Sequence, residues 1–90
     1  MIVEWTDPAI DEFIEILSKQ TKPVAEKTAS EISIRVERLS VFPFKGRIVP
    51  EFNVGRIREI IYKDYRVIYI LADKIYIAHI RSSKQELKSI

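Results

Sequence analysis

The chain has 90 residues, 47% hydrophobic and 31% charged, with two glycines, four prolines and no cysteine. Such a composition suits one packed α+β domain spanning residues 1–90 and excludes both a disordered chain and a disulfide or thiolate-metal scaffold. The net charge of +2 is unevenly spread: residues 1–40 carry five Lys/Arg against eight Asp/Glu, net −3, and residues 41–90 carry ten against five, net +5. A basic second half points to a polyanion or an acidic partner.

Met1 to Trp5 alternates with Met1, Val3 and Trp5 on one side, which predicts an opening strand. Thr6-Asp7-Pro8 ends it and starts a helix, with Asp7 placed to accept free amides and Pro8 preset for the first turn. Ile10, Phe13, Ile14 and Leu17 recur at helical spacing and predict the buried face, with Asp11, Glu12, Glu15 and Lys19 facing water. After the polar break Lys19–Lys22, Pro23 opens a second helix running to about Leu39 or Ser40. Its stripe is Ala25, Ala29, Ile32, Val36 and Leu39, and a short polar loop predicts an antiparallel helix hairpin.

From Arg47 the period becomes that of strands. Arg47–Val49, Arg56–Tyr62, Tyr65–Leu71 and Lys74–Arg81 are the candidates, broken at Asn53-Val54-Gly55, Lys63-Asp64 and Ala72-Asp73. These predict consecutive hairpins forming a curved antiparallel sheet with the helix pair on one face. The tail from Ser82 to Ile90 is polar apart from Leu87 and Ile90, and is expected to be a last helical turn or loose chain.

No apolar run approaches the roughly 20 residues of a membrane span, and the first residues lack the basic-then-apolar pattern of a leader, so a cytoplasmic protein without a membrane partner is expected. One histidine, no cysteine and scattered acids do not make a metal set, and Gly46 and Gly55 are too far apart for a phosphate-cradling loop. No metal, no cofactor and no small-molecule chemistry are expected.

Arg66 lies between Tyr65 and Val67, which point to the other face of a strand, so it is expected to stand on a rigid platform where it can meet an anion. The alternative is a structural pair with Glu51 or Glu59 across the sheet. Arg58 and Glu59 must point to opposite faces. His79, between Ala78 and Ile80, is expected to be a packed or hydrogen-bonded imidazole. Most of Tyr62, Tyr65, Tyr69 and Tyr76 are expected to pack against the helices with their hydroxyls at the rim.

The order of strand, helix pair and proline-glycine corner, followed by Gly46-Arg47-Ile48-Val49-Pro50-Glu51, Ile57-Arg58-Glu59-Ile60 and Tyr65-Arg66-Val67-Ile68-Tyr69, resembles the RelE/ParE superfamily of toxins. The resemblance implies a type II toxin-antitoxin system, a growth inhibitor held by a cognate antitoxin. It offers two targets. A ParE-like inhibitor of DNA gyrase is expected first, and a RelE-like ribosome-dependent messenger RNA endonuclease second. A relative that only binds its antitoxin, without toxicity, is the third reading. For the nuclease, the resemblance implies Arg66 against the scissile phosphate and Glu51 as base, but the tail offers Lys84 and Gln85 where such nucleases carry a general acid. Arg47, Arg58, Lys63, Arg81 and Lys84 are the expected target- or nucleic-acid-binding residues.

Overall fold

The computed structural model describes residues 1–90. Its elements, in chain order, are β1 (Val3–Trp5), α1 (Asp7–Ser18), α2 (Lys22–Arg38), β2 (Arg47–Ile48), β3 (Ile57–Tyr62), β4 (Tyr65–Leu71) and β5 (Ile75–Ser82). The sheet order is β1-β5-β4-β3-β2. The three hairpin-connected neighbours are antiparallel as expected, but β1 pairs parallel with β5, so the sheet is mixed rather than wholly antiparallel. The physical reason is the long crossover: two helices and three strands separate β1 from its partner, which frees it from the reversal a hairpin imposes.

Thr6 caps α1, in place of the expected Asp7. Its hydroxyl accepts from Ala9 N–H and donates to the Ile77 carbonyl at 2.8 Å, so one side chain both starts the helix and ties it to β5. Asp7 and Pro8 fall in the first turn, where a carboxylate and a fixed φ are favourable. The inward face of α1 differs from expectation in part. Phe13 packs on the core as expected and Leu17 is half-buried, but Ala9 and Ile16 join the core in place of Ile10 and Ile14, which are 40% and 60% exposed. The periodicity was compatible with both settings; stacking of Phe13 on Trp5, with centroids 5.4 Å apart, rotates the helix to the observed one. In α2 the stripe is confirmed at Ile32 and Val36, continuing to Leu39 at the cap, with Thr28 buried alongside.

The main core lies between the helices and one face of the sheet, and includes Ile32, Val36, Leu39, Tyr62, Val67, Tyr69, Ile75, Ile77 and Ile80. A register shift between Ile68 and Tyr69 leaves Ala78 as the extra residue of β5, a bulge that bends the sheet around this core. The other face carries a smaller core of Val49, Ile57, Ile68 and Leu87. Leu87 is 4% exposed, so the tail is tied down across this face rather than loose. Burying one leucine contributes about 1.5–3 kcal/mol, enough to hold a short segment in place.

The hairpin between β3 and β4 turns on Lys63, in the left-handed region at φ 51°, with Asp64 beside it. Gly46 lies at the corner before β2. Its N–H donates to the Tyr69 hydroxyl at 2.9 Å, and that hydroxyl donates to the Pro43 carbonyl at 2.8 Å. The fully buried tyrosine thus fixes the Pro43–Gly46 corner from below, and burial pushes its pKa up.

Candidate functional site

Strand alternation places Ile57, Glu59, Arg66 and Ile68 on the face opposite the helices. Arg66 pairs directly with Ile61, and Glu59 with Ile68, so Arg66 and Glu59 are diagonal neighbours. The guanidinium of Arg66 donates from Nε to Glu59 Oε1 at 2.6 Å. It forks onto Glu51, with Nη1 to Oε2 at 2.7 Å and Nη2 to Oε1 at 2.8 Å, and Nη1 also donates to the Gln85 carbonyl at 3.1 Å. Glu51 Oε2 accepts the Leu87 N–H at 3.0 Å, while Glu59 Oε2 accepts Arg47 Nε at 2.7 Å. Arg66 is 5% exposed and Glu59 1%.

Two carboxylates and two guanidiniums therefore form a balanced chain from the exposed Arg47 inward to Glu59, Arg66 and Glu51. Each buried charge has its counter-charge and hydrogen bonds, the condition under which ions persist inside a protein. Hydrogen bonding from Arg66, followed by that from Leu87 N–H, holds the Glu51 pKa down at about 2 against an ordinary 4.5. The same contacts push Arg66 upward, with the Glu51 bond the largest cause.

A pH dependence follows. Because folding depresses the Glu51 pKa, its contribution to stability is fully present above about 4.5 and is lost as pH falls from there toward about 2. Thermal unfolding followed by circular dichroism is expected to lose on the order of 1–2 kcal/mol through this carboxyl over that window, after discounting for its remaining solvent contact. Glu51→Gln should flatten that part of the profile.

Of the two expectations for Arg66, an open meeting with an anion or a pair with Glu51 or Glu59 across the sheet, the structure shows the pairing. Glu51 and Glu59 neutralise it, and the tail passes over it. Nor is Glu51 a free base: both its oxygens accept from Arg66, and its pKa lies far below neutrality. Of the other expected residues, Lys84 lines one open pocket with Glu51 and Arg66, and the rest are dispersed. Arg47 is exposed and tied by Nε to Glu59. Arg58 donates to the carbonyls of Gly55, Phe44 and Gly46 and stacks on the Phe44 ring at 4.9 Å, on the face opposite Glu59 as expected. Lys63 sits in the hairpin turn with its ammonium 5.6 Å from the Tyr62 ring centroid. Arg81 is held by Glu12 at 2.6 Å, and Lys84 lies in the exposed tail.

Glu12, expected to face water, instead turns toward β5. One oxygen accepts the Ile80 N–H and lies 3.0 Å from His79 Nδ1; the other accepts from Arg81. β1 pairs with β5 only as far as Ile77, so Glu12 covers the strand edge beyond it. His79 is thus a half-buried, hydrogen-bonded imidazole.

A second constellation had no sequence signature. Arg35 and Arg38 at the end of α2, together with Lys45, Gly46 and Arg47, line a cleft of about 400 Å³ over Ile60 and Ile61. Arg35 pairs with Glu31 and stacks over Tyr62 at 4.7 Å. The helical and strand contributions lie apart in sequence, so no local charge run announces them.

A model of the ParE toxin of the type II toxin-antitoxin system parDE matches residues 3–87. The chain belongs to the ParE toxin family. The match takes in every element from β1 to β5 and extends to Leu87, whose side chain belongs to the second core. No curated relative matches the toxin. As a type II toxin it has an antitoxin as its partner. No helix of the toxin is long and apolar enough to cross a membrane.

Proposed function

We propose that the toxin arrests growth by binding its target, DNA gyrase, without cutting nucleic acid, and that its antitoxin neutralises it by masking exposed surface. The observation carrying this reading is the closed Arg66–Glu51–Glu59 centre, in which the arginine and carboxylate that a nuclease would use are spent on each other. The pocket they line with Pro50 and residues 83–86 also holds no histidine or tyrosine to act as general acid, and the His79 ring is engaged with Glu12. Cleavage of a phosphodiester needs a cation free to meet charge developing in the transition state, and here that cation is already neutralised. For the antitoxin, the exposed Ile10 and Ile14 of α1 offer an apolar stripe suited to an amphipathic segment.

The test is a supercoiling assay with purified gyrase, alongside primer extension on messenger RNA from cells induced for the toxin. Supercoiling should fall with added toxin and recover with antitoxin, with no codon-phased cuts in the RNA. Undiminished supercoiling with codon-phased cuts would overturn the reading in favour of a ribosome-dependent nuclease. Normal growth on induction would leave a module that only binds its antitoxin.

A further inference from the structure

The basic cleft beside β3 is assigned no role by the ion centre or by gyrase binding. Its cations are Arg35, Arg38, Lys45 and Arg47, and its only acidic lining residue, Glu59, is fully buried and already bonded to Arg66 and Arg47. Arg38 and Lys45 are exposed and belong to none of the ion pairs of the chain. Lys45 also borders a neighbouring ridge of exposed Val41, Phe42 and Phe44 around the half-buried Pro43. Phe42 and Phe44 are 61% and 67% exposed, which is costly for aromatic rings in water and marks a binding surface. Arg58 covers Phe44 at 4.9 Å and steadies the ring.

We propose that this cleft and ridge bind a single-stranded nucleic acid, DNA or RNA, with backbone phosphates on Arg35, Arg38, Lys45 and Arg47 and bases stacked on Phe42 and Phe44. A positively charged groove next to exposed aromatic faces is the combination that holds single strands without reading sequence. Guanidinium forks suit phosphate oxygens, and Arg35 is already oriented by Glu31 and the Tyr62 ring. An acidic peptide is the competing occupant, but it would gain little from pairing with the sheet here. β2 covers β3 as far as Glu59, and only Ile61 faces outward before the turn at Lys63. The sheet therefore offers an extended peptide too short an edge, whereas phosphates need no such edge.

Fluorescence anisotropy with labelled oligothymidylate and oligouridylate, using the purified full-length toxin without gyrase, tests this separately from the gyrase reading. Binding of either strand should weaken with salt, at a slope of about −0.7 per phosphate contact. Arg38→Glu/Lys45→Glu should reduce affinity at least about 10-fold and make the slope shallower by about 1.4. Phe44→Ala should reduce affinity by about 5- to 100-fold while leaving the slope unchanged, as loss of stacking requires. Lys22→Glu/Lys88→Glu, with the same net charge change elsewhere, should bind nearly as the unaltered chain does. The proposal is overturned if neither strand binds, if both double variants lose affinity equally, or if a polyglutamate peptide of matched charge competes as well as the oligonucleotide. All four altered side chains of the charge variants are exposed, and circular dichroism melting confirms that each variant is folded.

Discussion

Replacing Arg66 with alanine is expected to damage the fold itself, by about 3–5 kcal/mol, because it leaves Glu51 and Glu59 facing each other with no guanidinium between them. For a domain of this size total stability is about 5–15 kcal/mol, so the variant should melt roughly 15–30 °C lower or fail to accumulate. Removing all three charges together is a different matter. In Arg66→Met/Glu51→Leu/Glu59→Met no buried ion is left unpaired, and apolar side chains extend the core already formed by Val49, Ile57, Ile68 and Leu87. Such replacements are often neutral or stabilising by about 1–4 kcal/mol. Thermal melts of the single and triple variants should therefore move in opposite directions from each other relative to the unaltered chain, or at least differ by several kcal/mol. Equal loss in both would mean that the ions contribute more than mutual neutralisation.

Gly46→Ala should be the next most damaging small change. A Cβ there would lie 2.6 Å from the Glu59 carbonyl oxygen and 2.6 Å from the Tyr69 hydroxyl. Neither neighbour can retreat easily: one is backbone of a central strand, and the other is a fully buried tyrosine bonded to Pro43 and to Gly46 itself. Overpacking of this kind costs about 1–3 kcal/mol, and loss of the Gly46 N–H bond places the expected value near the upper end. Gly55 supplies the comparison. It has no atom within 4 Å of an added Cβ and no positive φ, so Gly55→Ala should be neutral or gain about 0.4–1 kcal/mol through the unfolded chain. Chemical denaturation of the two variants separates a packing requirement at Gly46 from a general need for glycine.

Much of this architecture was legible in the residues. The strands of the second half are marked to within a residue or two, because period two in Val, Ile and Tyr is a strong local signal between short polar breaks. The helix pair was equally clear from its spacing. The rotation of α1 was not: Phe13 belongs to both settings, Ile10 and Ile14 repeat as well as Ala9 and Ile16 do, and only the Trp5–Phe13 stack, set by the parallel pairing of β1 with β5, distinguishes them. The parallel edge itself is a long-range choice without a local mark. At the ion centre, the face of Arg66 could be read from alternation, and Glu51 and Glu59 could be named as its partners. What closed the site was the tail, whose Gln85 carbonyl and Leu87 N–H complete the bonds from a segment that reads as polar and loose. The basic cleft has no mark in the sequence because Arg35 and Arg38 look like ordinary solvated positions on a helix until Lys45 and Arg47 are folded against them.

A structural role for the Arg66 centre is tested most directly by growth arrest in the triple variant Arg66→Met/Glu51→Leu/Glu59→Met, once circular dichroism has shown it folded. Retained arrest, at induction levels matching those of the unaltered toxin, is the expected result. A stably folded variant that leaves growth untouched would contradict it, by showing that the guanidinium acts on the target after all.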